Sequence, residues 1–202
     1  MADRFKTVLL FGAPGAGKGT QGELLGKIPG FFHMSTGDMF RSLDRDSEAG
    51  KKFESFSSKG ELVPDEVTIE LWQDYMSKRI AEGSYDPSSM LLILDGLPRT
   101  VNQAKLIEPL IEVLGIVHLS AKDKEAMVQR LRHRAMQQNR TDDAKEEVVR
   151  NRLDIYERET RPVLNVYDAS LVHEIDAIGT MASVLCSVLN VVAPIQAHHA
   201  AG

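Results

Sequence analysis

Residues 12–21, Gly-Ala-Pro-Gly-Ala-Gly-Lys-Gly-Thr-Gln, follow directly on the apolar run of residues 7–11, Thr-Val-Leu-Leu-Phe. Glycines at 12, 15, 17 and 19 allow positive-φ backbone that turns N–H groups inward around an anion, and Lys18 adds a point charge. The helix expected to begin here would aim its positive dipole end at the same anion. Gly15, Ala16, Gly17, Lys18, Gly19 and Thr20 are therefore the candidate cradle for the phosphates of ATP or GTP. The spacing from Gly12 to Gly17 and Lys18 fits the common phosphate-binding loop. Gly19 follows the lysine, however, so the hydroxyl expected beside a magnesium ion arrives one place late, at Thr20. A glycine-rich turn between strand and helix can also be simple punctuation. The lysine at the strand exit makes nucleotide binding the working reading.

Other residues could join that chemistry. Asp95 closes the wholly apolar run of residues 90–94, which places a carboxylate at the carboxyl edge of a strand, where open α/β sheets hold ligands. A strand-end aspartate can equally cap a turn. Thr36 and Arg41 lie in Ser35-Thr-Gly-Asp-Met-Phe-Arg41, a segment that alone reads equally as a helix N-cap with an exposed arginine. Gly60-Glu-Leu-Val-Pro-Asp-Glu66 alone would pass as a turn. Arg130 and Arg134, four apart, share a helix face, where like charges cost about 0.2–0.5 kcal/mol unless an anion sits between them. Arg132 and His133 read as a solvated helix face. His33, His118 and His173 fall in or beside strands and read as satisfied structural histidines. No Ser/His/Asp or Cys/His pairing is visible.

The elements that must position these groups alternate. Strand-like runs at 7–11, 32–34, 90–94, 115–119 and 171–175, separated by helical patterns, predict an α/β fold with a parallel five-stranded sheet flanked by helices. Residues 35–63, with helical patterns at 38–45 and 49–58, interrupt the alternation as a small helical insertion. Residues 130–143 read as a short mobile lid over the site. Asp143 with Glu146 forms a capping-box-like helix start, followed by Val149, Leu153 and Tyr156 at helical spacing. Pro162 is expected to break or restart that helix. The core would then comprise 1–34, 64–129 and 144–195, with a frayed tail at 196–202.

A chain of 202 residues, 43% hydrophobic, can bury one sizeable core. Its net charge of −5 offers no basic field for a nucleic-acid backbone. The single cysteine, Cys186, excludes an internal disulfide and a cysteine-based structural zinc site, and its apolar neighbours predict a small buried hydrophobe. The first residues run into a strand without an apolar signal region, and no apolar run is expected to reach membrane-spanning length. A cytoplasmic, membrane-free location is the expectation.

The loop Gly-x-Pro-Gly-x-Gly-Lys-Gly-Thr-Gln resembles that of the nucleoside monophosphate kinases, the adenylate kinases in particular. Four further motifs extend the resemblance over about residues 7–180: Ser35–Arg41, Gly60–Glu66, Asp95-Gly-Leu-Pro-Arg-Thr100 with Gln103, and the arginine set. The resemblance implies a P-loop NTPase-type fold with an acceptor-binding insertion and a short lid. It also implies reversible Mg²⁺-dependent transfer of the terminal phosphoryl of ATP to AMP, giving two ADP, by a monomer that serves adenine nucleotide homeostasis.

By the same resemblance Thr36 contacts the acceptor nucleotide and Arg41 its phosphate, while the backbone of Glu61, Leu62 and Val63 meets the acceptor adenine and ribose. Gly96, Leu97, Pro98 and Arg99 belong to the AMP site, with Arg99 as the phosphate clamp and leucine at 97 where the family usually has phenylalanine. Gln103 reads the Watson–Crick edge of adenine, and Asp95 holds magnesium through water. Arg130 and the backbone of Gly179 lie near the donor adenine and Arg134 at the donor phosphates. Arg140 and Arg152 lie at the transferring or acceptor phosphate. The Arg140–Arg152 spacing is one residue longer than in short-lid vertebrate enzymes, which leaves Arg150 as the competitor of Arg152. The catalytic set is thus Lys18, Arg99, Arg134, Arg140 and Arg152. Rival readings are a UMP/CMP kinase, which usually carries alanine in place of Thr36 and asparagine in place of Gln103, and a nucleotide-binding protein without transfer activity.

Overall fold

A computed structural model describes residues 4–121, 125, 127–131 and 145–200. Five strands, β1 (Phe5–Gly12), β2 (Phe31–Ser35), β3 (Leu91–Asp95), β4 (Ile111–Ser120) and β5 (Val172–Asp176), form one sheet in the order β2-β3-β1-β4-β5. Every neighbouring pair is parallel, as expected from the alternation. The strands bury both faces. In β1, Val8 and Leu10 point into one apolar cluster with Leu91, Ile93, Val117 and Leu119, while Leu9 and Phe11 point into the other with Leu92, Leu94 and Ile116. Continuous apolar runs are what a helix-covered parallel sheet demands.

Register brings the carboxyl ends together. Leu10 of β1 and Ser35 of β2 both lie opposite Asp95 of β3, so the entrance to the glycine loop, the end of β3 and the exit of β2 share one edge. Helix α1 (Lys18–Leu25) leaves the loop; α2 (Thr36–Arg41) and α3 (Glu48–Ser57) occupy the segment read as an insertion. Helices α4 (Asp65–Ala81) and α5 (Val101–Ile107) pack on one face with Trp72, Met76 and Ile107 fully buried. Helix α6 (Glu146–Ile155) buries Val149 and Leu153 as their spacing required. It starts at Glu146 with Lys145 at the N-cap and no side-chain cap, so the capping-box start is not the one used; Asp143 lies outside the described residues. Past the α-helix a π turn (Tyr156–Thr160) passes into a 3-10 segment (Arg161–Val166) with Pro162 in its first turn, so the chain restarts there as a helix of different type.

The C-terminal segment corrects three expectations. Helix α7 (Met181–Ala200) continues through the residues read as a frayed tail, because Val184, Val188, Val192 and His199 recur on one buried face and Gln196 donates to the Pro29 carbonyl at 2.8 Å. Pro194 is carried within it. Cys186, expected to be buried, is exposed: two residues past Val184 it lies about 200° around the helix from the packed face. Residues 181–199 are also long and apolar enough to cross a membrane by length and composition, which the sequence reading did not expect. Here the helix docks its valines on the sheet, and its outward face carries small neutral residues.

Candidate active site

The shared edge opens on a cavity of about 510 Å³. Its floor is the glycine loop. Gly17 adopts φ 94° as the residue before α1, and no side chain caps the helix, so the first N–H groups of α1 are left to an anion. The ammonium of Lys18 donates to the carbonyls of Gly12 at 2.6 Å and Ala13 at 3.2 Å, which draws it back over the loop. Gly15, Ala16, Gly17, Lys18, Gly19 and Thr20 all line the cavity, so the predicted cradle is assembled in one place.

Asp95 faces this loop. A Cβ placed on Gly19 would come within 3.9 Å of the Asp95 carboxylate. A buried carboxylate beside the phosphate cradle, with the exposed hydroxyl of Thr20 nearby in sequence, offers only hard oxygen ligands, which suits a Mg²⁺ ion that keeps most of its waters. Among the described residues no three His, Cys, Asp or Glu side chains gather into a cluster able to hold a metal alone.

The turn after β3 builds the opposite wall. Gly96 takes φ +83°, and a Cβ there would meet Thr36 Oγ1 at 2.5 Å and an Arg99 Nη at 2.8 Å, so the close approach of these groups requires glycine. Thr36 donates to the Gly96 carbonyl at 2.9 Å and Arg99 Nε to the same carbonyl at 2.8 Å, fixing the plane of the guanidinium. Gln103 Oε1 accepts the backbone N–H of Arg99 at 2.7 Å. Gly96, Pro98, Arg99, Gln103, Thr36 and Arg41 all line the cavity, as do Glu61, Leu62 and Val63. Arg41 pairs with Asp38 at 2.5 Å. Leu97 differs: its side chain is buried in the core cluster that contains Trp72 and Ile107 and does not line the cavity.

On the far side Arg130 donates to the Ala177 carbonyl at 3.3 Å, and both line the cavity with Gly179. Arg152 on α6 lines it too, whereas Arg150, two residues earlier, turns outward to Glu125 and Glu146 at 3.0 Å each. Arg134 and Arg140, with most of the expected lid, lie outside the described residues. Sequence reading passed over several lining residues: Gln21, whose buried Oε1 has no hydrogen-bond partner among the described residues, Phe53, which stacks on Phe40 at 5.0 Å, and Tyr156 and Thr160. Gln21 carried a signal as the last residue of the loop motif, and Tyr156 because it follows Arg152 by one helical turn.

The histidines are not alike. His118 shares a 3.0 Å hydrogen bond with the Tyr156 hydroxyl, and burial lowers its pKa. His33 is also pushed down by burial, partly opposed by Asp95, but its Nε2 has no partner among the described residues, and His173 is exposed on β5. The expectation of three satisfied structural histidines therefore holds for His118 alone.

Known proteins resemble this chain in sequence. The family model described as adenylate kinase matches residues 10–172. An adenylate kinase of Kocuria rhizophila is 39% identical over 180 residues, covering 86% of this chain and 92% of the relative. Another from Thermobifida fusca is 38% identical over 183 residues, covering 88% and 93%. One from Caldicellulosiruptor bescii is 33% identical over 194 residues, covering 80% and 86%. With its parallel sheet, its glycine loop facing Asp95, and a family match spanning most of its length, the chain belongs to the adenylate kinase family.

Proposed function

We propose that this phosphotransferase moves the terminal phosphoryl of ATP onto AMP, reversibly, to give two ADP, and so keeps adenine nucleotides in balance. The observation that carries this reading is a single cavity lined at one end by the uncapped start of α1 with Lys18 and at the other by Thr36, Arg99 and Gln103. Donor and acceptor can then meet without leaving a common chamber. Such a transfer asks for alignment and charge neutralisation rather than covalent chemistry. The acceptor phosphate oxygen is already ionised near neutral pH, so no general base is needed.

In this reading Lys18 and the loop amides of Gly15–Thr20 hold the donor phosphates, with Arg130 and the Gly179 backbone beside the donor base. Arg99 and Arg152 hold the acceptor phosphate. Arg41, paired with Asp38 in this conformation, would exchange that carboxylate for the acceptor phosphate. Arg134 and Arg140 would complete the cationic shell from the lid, which would also exclude water. Asp95 and Thr20 would hold Mg²⁺, which supplies further charge neutralisation when bound. Gln103, with Oε1 engaged by Arg99, presents Nε2 as a donor; adenine N1 accepts such a bond, whereas guanine N1 carries a proton. We further read the protein as a magnesium-dependent cytoplasmic monomer that uses neither a membrane nor nucleic acid.

A coupled assay of ADP formation with AMP, UMP, CMP and GMP as acceptors tests the substrate assignment. Strong preference for AMP is expected. Preference for UMP or CMP would replace the reading with the pyrimidine kinase, and ADP formation from no acceptor would leave a nucleotide-binding protein without transfer activity.

A further inference from the structure

His118 is buried near the carboxyl end of β4, opposite Phe11 of β1, the strand that leads into the glycine loop, and opposite Glu174 of β5. It does not line the cavity, yet its ring Nε2 holds the hydroxyl of Tyr156, which does. Tyr156 stands where α6 gives way to the π turn, one helical turn after Arg152 and on the same face. A π turn at the end of a helix is a local irregularity that recurs at functional sites. The turn is pinned a second time: Thr160 Oγ1 donates to the Arg99 carbonyl at 2.9 Å. At its other side α6 touches the segment read as acceptor-binding, for Asn151 donates to the Lys59 carbonyl at 2.8 Å and a Cβ on Gly60 would strike the Val148 carbonyl and Arg152 Cγ.

Helix α6 thus carries an arginine into the cavity, rests against the acceptor side, buries Val149 and Leu153 in the core, and is hydrogen-bonded to the sheet through Tyr156 at its carboxyl end. Without the tyrosine hydroxyl bond, the buried phenol and imidazole would each lose a partner, and the junction could rotate. A rotation there swings Arg152 across the cavity, where small misplacements of a charged group cost rate rather than affinity.

We infer that His118 and Tyr156 form a positioning pair for phosphoryl transfer: the hydrogen bond between β4 and the start of the π turn fixes α6 and sets where Arg152 stands. Neither residue touches substrate through its polar atom, and both act through Arg152. The inference rests on the reading of Arg152 as a phosphate ligand.

Steady-state kinetics of Tyr156→Phe, His118→Phe, the double variant, His118→Gln and Arg152→Ala test it. Losing one net hydrogen bond at a positioned group should lower kcat about 5- to 10-fold in Tyr156→Phe and in His118→Phe. KM for ATP and AMP should stay within about twofold, and the double variant should be no slower than the worse single within about twofold, because one bond is removed either way. His118→Gln, whose amide nitrogen reaches to about the place of Nε2, should restore most of the rate. If His118→Phe does not fold, Tyr156→Phe compared with His118→Gln decides alone. Wild-type kcat in folded Tyr156→Phe, or losses that multiply in the double variant, would overturn the pair. If Arg152→Ala costs rate while Tyr156→Phe does not, the positioning inference fails and the reading of Arg152 survives. If Arg152→Ala costs nothing, both fall.

Discussion

Gln103 accepts the backbone N–H of Arg99 through its side-chain oxygen at 2.7 Å, so its amide nitrogen is the end left for another partner. The residue that would read the acceptor base is held by the residue that would grip the acceptor phosphate. In the proposed reading, base recognition and phosphate placement would be joined in one turn after β3.

Gln103→Glu keeps an oxygen for Arg99 but replaces the donor with a second, charged acceptor facing the base. Losing the donor to a buried acceptor costs about 1–3 kcal/mol, so kcat/KM for AMP should fall about 5- to 150-fold with the ATP term unchanged. Activity with GMP should rise relative to AMP, since guanine N1–H can donate to the new oxygen. Steady-state kinetics varying each nucleotide separately would reveal it, and equal losses for ATP and AMP would show that Gln103 does not meet the acceptor base.

Replacing Lys18 by methionine removes the ammonium now drawn over the carbonyls of Gly12 and Ala13. Charge stabilisation of a transferring phosphoryl is worth about 3–4 kcal/mol, so kcat should fall at least about a hundredfold. A folded variant with near-normal kcat would remove this loop from the reaction.

Gly96→Ala places a methyl group 2.5 Å from Thr36 Oγ1 and forces a side chain onto φ +83°. The backbone conformation alone costs about 1–2 kcal/mol in a non-glycine residue. Both Thr36 and Arg99 must shift, so the melting temperature should drop and kcat/KM for AMP should fall more than that for ATP. An unchanged KM for AMP would show that Thr36 and Arg99 have room that these distances deny.

Folding stability should decrease as pH falls from about 7.5 to 5.5. Burial holds the pKa of His33 and His118 below the ordinary value, with Glu174 opposing the shift at His118 and Arg161 and Lys18 adding to it. The unfolded chain, with histidine near 6.5, then binds more protons than the folded one between the two values, so stability is complete above about 6.5 and is lost toward the folded pKa. Urea unfolding at several pH values should give a free energy that rises through this window, with a shallower rise in His33→Phe. A flat profile in the wild type would mean that neither imidazole is held neutral.

Much of this was readable from residue order, and what was not has specific causes. The run of residues 90–94 announced β3 because a strand covered on both faces leaves no polar position. The glycine loop announced itself because few other sequences place so many glycines and a lysine at a strand exit. By contrast α7 hid its true extent, since Gln196 is held by its bond to the Pro29 carbonyl and His199 is buried, with no large apolar side chain after Ile195 to mark the end. Its outward face, where Cys186 lies, is made of small neutral residues that imitate a core. Leu97 sits within a binding motif, yet its side chain serves the core. The bond between His118 and Tyr156 joins residues 38 positions apart, and no local pattern links them.

The most direct test of direct transfer between two bound nucleotides is a ³¹P NMR record of the purified protein with Mg²⁺, ATP and AMP. The account predicts that ATP and AMP disappear together, that ADP alone accumulates at two per AMP consumed, and that ATP stays intact when AMP is left out. Release of inorganic phosphate at a rate independent of AMP would contradict it.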